Sequence, residues 1–268
     1  MSRVSRLASQ TVIYGVSTIL GRLLNYLLVP LHTYLFEPSS YGIVGELYAY
    51  ITFLNIVYLL GMETAFFHFA NKDRDQEQVF SSALIALATT SLVFSGTVLL
   101  LSQPLAELLS YGSHSEFMAI IAGILAFDTI AAIPFARLRL QGKPLIFSAI
   151  KVGNIAINVG FNLFWLLLCP YILNQPALSE WHTLVRMVYD PGFGVGYVFL
   201  ANLMASALTL LLLLPQLRAF RLRFDMQLVR QMLRYALPLV AVGVAGMVNE
   251  TIDRILLRQL LPNSAEAN

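Results

Sequence analysis

The chain has 268 residues, of which 57% are hydrophobic and only 12% charged, with a formal net charge of +2 and a mean hydropathy of +0.71. Soluble domains carry roughly 25% charged residues, so this composition excludes a chain that covers a water-facing surface with polar groups and points to lipid as the outer solvent. A single cysteine, Cys169, excludes an intrachain disulfide.

Met1 to Leu7 carries Arg3 and Arg6 ahead of an apolar stretch that runs to about residue 33. That stretch is too long for a signal-peptide core of roughly 7–15 residues and no small-residue cleavage site follows, so it reads as a retained spanning helix. A spanning helix needs about 20 mostly apolar residues, and seven segments qualify: 9–33, 42–70, 79–101, 116–137, 145–171, 193–214 and 233–258. The second is long and is expected to include a turn beyond the lipid.

Charge between these segments is one-sided. With the N-terminus placed in the cytoplasm, the inner segments hold Arg3, Arg6, Lys72, Arg74, Arg137, Arg139, Lys143, Arg218, Arg221, Arg223, Arg230 and Arg234. The outer segments 34–41, 102–115, 172–192 and 259–268 hold only Arg186. This is the positive-inside pattern. Pro215 is expected to end the sixth helix, and Asp225 to cap a new one. Met226, Val229, Met232 and Leu233 recur at helical spacing with Arg230 and Arg234 between them, which predicts an amphipathic linker helix on the cytoplasmic face. The expected organisation is therefore a six-helix lobe over 1–214, a linker over 215–232, and the first helix of a second lobe over 233–268.

Polar groups inside hydrocarbon are costly, and each is a candidate functional residue. In the first helix Thr11, Gly15, Thr18, Arg22, Asn25 and His32 fall near one face. Arg22 lies on the order of 16 Å from either end, too deep for easy snorkelling; it faces a water-filled cavity, or a structural carboxylate partner. In the second, Tyr48, Thr52 and Asn55 share a stripe; Glu46 sits near the outer boundary, where solvation is expected, and Glu63 near the inner end, a candidate for transport or for packing or capping, with Arg22 as a candidate partner. In the fourth, Asp128 sits between apolar runs, to bind a cation or proton or to pair structurally. In the fifth, Lys151, Asn154, Asn158 and Asn162 form a line at spacings of three, four and four. Their amides offer donors and acceptors that suit sugar hydroxyls; the alternative is interhelical hydrogen bonding. In the seventh, Glu250 precedes Arg254 by four residues, the favourable order for a pair, which leaves Asp253 over.

The sequence contains no P-loop, HExxH, CxxC pair or GxSxG motif. Its few histidines are not spaced as metal ligands, and no loop carries a basic–aromatic patch for nucleic acid. The expectation is a protein that is not an enzyme, with no catalytic residue, metal or cofactor and no nucleic-acid partner.

Several runs carry a resemblance. Gly21-Arg22-Leu23-Leu24-Asn25-Tyr26, Val29-Pro30-Leu31 and Pro38-Ser39-Ser40-Tyr41-Gly42 resemble the opening of bacterial polysaccharide-export flippases, the O-antigen flippase branch of the multidrug/oligosaccharidyl-lipid/polysaccharide (MATE-like) exporter superfamily. The run Gly61 to Phe69 is similar to that family's end of helix two, with His68 where the family often has Arg. Tyr235-Ala236-Leu237-Pro238-Leu239 and Ile252-Asp253-Arg254-Ile255-Leu256-Leu257 are similar to the two ends of its seventh helix. The resemblance implies an all-α, polytopic bundle in the bacterial inner membrane: a MATE-like N-terminal lobe plus the first helix of a second lobe, read as the front portion of a longer sequence. It implies translocation of undecaprenyl-diphosphate-linked oligosaccharide for lipopolysaccharide and related polysaccharides. Arg22 would then meet the diphosphate with help from Lys151, Asn154, Asn158 and Asn162 would meet sugar, and Asn25 is a further substrate-binding candidate. Glu63, Asp128 and Asp253 are the candidates for coupling Na⁺ or H⁺. The rival readings are an ion-coupled drug exporter with an acidic, aromatic cavity, and a scaffold or enzyme of envelope polysaccharide assembly.

Overall fold

A computed structural model of the protein describes residues 28–71, 75–109, 111–112, 114–217 and 223–260, with Gly15, Ile19 and Tyr26 in addition; within 247–260 it describes the backbone alone. Among the described residues there are helices and connections but no strand. In lipid a helix satisfies its backbone polar groups internally, which is why apolar segments of this length fold this way.

Helix α1 ends over residues 28–35. Helices α2 (Pro38–Leu59) and α3 (Met62–Ala70) together make the second segment. Next come α4 (Gln76–Leu100), the short α5 (Ser102–Leu108) and α6 (Glu116–Leu140). The fifth segment is α7 (Pro144–Leu163), a π-helical turn (Phe164–Leu168) and α8 (Cys169–Asn174). Helix α9 (Ser179–Val188) lies in the following connection, and α10 (Gly196–Leu217) and α11 (Met226–Leu260) complete the chain. Six of these helical stretches are long and apolar enough to cross a membrane: Pro38–Ala70, Gln76–Leu100, Glu116–Leu140, Pro144–Asn174, Gly196–Leu217 and Met226–Gly246. They coincide with the second to seventh expected segments, and the chain is a polytopic helical membrane protein. Most of the first expected segment falls outside the described residues.

Local chemistry explains the helix ends. Pro38 and Pro144 open α2 and α7, where a missing N–H costs nothing. Asp75 caps α4 by accepting from the Glu77 amide at 3.0 Å. Asp225 caps α11 as its sequence position predicts, its Oδ1 accepting from the amides of Gln227 and Leu228 at 2.9 and 3.0 Å. Between α2 and α3 the chain turns through two left-handed residues, Leu60 at φ 49° and Gly61 at φ 62°. A Cβ on Gly61 would lie 3.2 Å from both the Cβ and the carbonyl oxygen of Ala236, so α11 crosses the break closely because that position is glycine. In the fifth segment Pro170 lacks the N–H that a regular helix would use. The turn before it widens, and the Cys169 amide bonds to the Phe164 carbonyl instead.

Three expectations need correction. Pro215 does not end the sixth helix but lies within α10. Residues 226–232 are not a separate surface helix: they are the first turns of α11, which runs unbroken to Leu260. Their apolar face is used for packing, with Leu228, Met232 and Ala236 buried against Met62, Phe66 and Phe80 of the first six segments. Glu46 is not solvated; it is buried and accepts hydrogen bonds from the hydroxyls of Tyr50 and Tyr111 at 3.2 and 2.5 Å. An unpaired carboxylate there would be costly, and the two tyrosines, one across from a different connection, supply what water would have.

Helix α6 is the central element, packed between α4 and α10, with α7 against α10 and touching α6 as well, and α11 across α2 and α3. At Gly123 of α6 an added Cβ would come within 2.8 Å of Leu203 Cδ1, so α6 and α10 approach closely, as small residues permit between membrane helices. Around this frame α2, α7 and α10 enclose a polar interior.

Candidate intramembrane cleft

Two adjoining cavities run along the bundle. One, of about 400 Å³, lies toward the end where Arg137, Arg139 and Lys143 sit, and takes side chains from α2, α3, α6, α7 and α10. The other, of about 580 Å³, lies toward the opposite end and is enclosed by α1, α2, α7 and α10. Asn154 and Asn202 belong to both walls, so the two form one cleft.

The cavity nearer the basic end is the charged compartment. Asp128 of α6 and Lys151 of α7 face each other across it closely enough to interact electrostatically, and Ser206 of α10 lines the same compartment. Lys151 Nζ sits 4.4 Å from the centre of the Phe135 ring, a cation–π contact. Both side chains are reachable by water through the cleft although they lie deep in the bundle. Glu63 and Arg139 form an ion pair on the same wall. Glu63 is therefore partnered by α6; Arg22, its candidate partner from the sequence, lies outside the described residues. Asn55 lines this compartment too, and its Oδ1 is buried with no hydrogen-bond partner among the described residues.

The second cavity is the uncharged compartment: among its described lining residues there is no Asp, Glu, Lys or Arg. Its polar groups are held in set orientations. Asn162 Nδ2 donates to the carbonyl and to the Oδ1 of Asn158 at 2.9 and 2.8 Å. The Asn162 Oδ1 is then the acceptor for His32 Nε2 at 3.0 Å, so His32 carries its proton on Nε2. With its oxygen engaged, Asn158 has its amide NH₂ left for the cleft. Asn154 is oriented the other way. Its Nδ2 donates to Thr209 Oγ1 at 2.8 Å, which leaves its oxygen as acceptor. Tyr48 and Asn202 line the cleft where the compartments meet.

The expected site residues thus separate. Lys151, Asn154 and Asn158 line the cleft, as do Glu63 and Asp128. Asn162 does not: it is fully buried and acts behind Asn158. Arg22 and Asn25 lie outside the described residues, and so does the side chain of Asp253. A set not anticipated from sequence is Asn202, Ser206 and Thr209 on α10, opposite the α7 line. Their spacing of four and three was the available signal, but Ser and Thr are common in membrane helices and the run around them is dominated by Leu and Ala.

Fold and cleft define a multi-pass membrane protein with a partly polar cleft among its helices. A family model described as polysaccharide biosynthesis protein matches residues 33–173, a little over half of the chain, and the chain belongs to that family. The match includes Tyr48, Glu63, Asp128, Arg139, Lys151, Asn154 and Asn158; the α10 side of the cleft lies beyond it. No curated protein and no solved structure matches the chain. It is a membrane protein of polysaccharide biosynthesis.

Proposed function

We propose that the protein carries a lipid-linked oligosaccharide, of the undecaprenyl diphosphate class, across the bacterial inner membrane, with the saccharide and diphosphate in the cleft and the polyprenyl tail in lipid. The observation that carries this reading is the charged compartment within an otherwise apolar bundle, where Lys151 is balanced by Asp128 and remains open to the cleft. A diphosphate cannot enter hydrocarbon unaided. Lysine on its flexible stem is a mobile cation that can reach more than one anionic partner, so Lys151 can swing to a phosphate oxygen in the same compartment. Arg139 is already engaged by Glu63 and shapes the same wall. Translocation requires no covalent step; Asp128, on the wall of the same compartment, is the carboxylate available to a coupling Na⁺ or H⁺.

The test is transport of a fluorescent polyprenyl-diphosphate saccharide in proteoliposomes. Lys151→Gln is expected to lower the rate at least tenfold, the equivalent of about 1.4 kcal/mol, and Lys151→Arg to retain most of it. If Lys151→Gln transports as well as the parent, the diphosphate role of the charged compartment is wrong.

A further inference from the structure

The division of the cleft bears on which saccharide the protein selects. We infer that the uncharged compartment between α1, α2, α7 and α10 is a binding site for the glycan head of the lipid-linked substrate, and that it selects uncharged sugars over sugar acids. This rests on the proposed reading that a lipid diphosphate occupies the charged compartment.

Three observations carry it. First, the lining chemistry is that of a neutral, hydroxyl-rich ligand. Asn158 offers an amide NH₂, Asn154 an amide oxygen and Tyr41 and Tyr48 their aromatic rings, while no described lining residue carries a formal charge. A donor and an acceptor one helical turn apart match the donor–acceptor character of adjacent hydroxyls. A carboxylate brought into the same space would find no cation among the described residues and would bear the desolvation penalty of an unpaired charge.

Second, the donors are held in place before any ligand arrives. Asn162 is fully buried and spends both ends of its amide, on His32 and on Asn158. Its effect is to fix which end of Asn158 faces the cleft. A buried amide used only to hold helices together has no need to orient a neighbour that lines a cavity.

Third, the space is real on the α2 wall. A Cβ built on Gly45 meets nothing within 4 Å, although Gly45 lies in a helix wall of this compartment. The missing side chain enlarges the cavity. Its volume of about 580 Å³ lies within the range of small-molecule sites.

The experiment is titration calorimetry on the full chain in lipid nanodiscs with four probes: farnesyl diphosphate, farnesyl diphosphate bearing a neutral N-acetylhexosamine disaccharide, the same compound with a hexuronic acid in place of the outer sugar, and the free neutral disaccharide. The neutral glycolipid is expected to bind on the order of tenfold more tightly than farnesyl diphosphate, the scale of one or two well-made hydrogen bonds, and the uronate compound no more tightly than farnesyl diphosphate. Gly45→Leu fills the compartment and should bring the neutral-to-bare ratio down to about one. Gly160→Ala, at another open helical glycine on α7 away from the lining, should keep the ratio. Equal binding of neutral and uronate compounds overturns the inference, and so does a ratio that survives Gly45→Leu. If farnesyl diphosphate fails to bind while the free disaccharide binds to the parent and not to Gly45→Leu, the diphosphate reading falls and the sugar site stands. If neither the disaccharide binds nor the glycolipid gains over farnesyl diphosphate, the sugar site falls.

Discussion

Asn158 and Asn162 are one turn apart on α7 and have opposite exposures. Asn158 lines the uncharged compartment, whereas Asn162 is sealed between it and His32. Substituting each by leucine separates the two roles. Asn162→Leu leaves the His32 Nε2–H without its acceptor inside the bundle, which costs about 1–3 kcal/mol, and it should lower the thermal unfolding midpoint clearly. Asn158→Leu is expected to hold the midpoint within a few degrees and to depress transport. Equal midpoints for both variants would show that the His32–Asn162 contact contributes nothing. The line itself was legible because asparagines at helical spacing stand out in an apolar run. Its division into a lining residue and a supporting residue was not, because that depends on where α1 lies. The partner of Glu63 was likewise illegible: Arg139 is far away in sequence, and only the packing of α3 on α6 joins them.

At the level of the helices, the second segment contains the one non-glycine residue with positive φ among the described residues, Leu60. The residues around Leu60 and Gly61 read as helix, since Gly61 alone among apolar neighbours is tolerated in a helix, and the expected turn could be placed only roughly. The structure puts it within the stretch Pro38–Ala70 and covers it with α11. A non-glycine residue in the left-handed region costs roughly 1–2 kcal/mol, and Leu60 already bears that cost at φ 49°. Gly61→Ala adds a second such residue and presses a methyl group against Ala236 and Val240. The expected result is a loss of about 1–2 kcal/mol, measured as denaturation in mixed micelles, with the contact between α2 and α11 loosened. Unchanged stability would mean that α11 does not depend on this crossing. The same crossing corrects the idea of a separate linker. Amphipathic spacing from Met226 onward was legible, but an apolar stripe is the same in sequence whether it rests on lipid headgroups or on Phe66 and Phe80.

For the whole molecule, six of the seven expected spans are present as helices of membrane length, because hydropathy alone sets that length. The orientation follows from loop charge and can be measured. Cys169 is buried, so a Cys169→Ala background gives little disturbance and no competing thiol. In that background Gly192→Cys, between α9 and α10, should react with an impermeant maleimide added outside intact cells. Gln141→Cys, between α6 and α7, should react only after permeabilisation. The reverse pattern would invert the bundle and place the charged compartment at the outer leaflet.

Lys151, Asn154 and Asn158 follow one another up α7 with axial steps of about 4.5 and 6 Å. Those steps are comparable with the reach of a polar headgroup, so such a group moving lengthwise meets the next partner before it has let go of the last. Its free-energy profile is then a corrugated one, a series of shallow wells separated by low crests, instead of a single wall as thick as the bilayer. The height of each crest is set by the gap between neighbouring rungs. Lengthening one gap by removing the Asn154 amide raises one crest, and the passage is then only as fast as that slowest step.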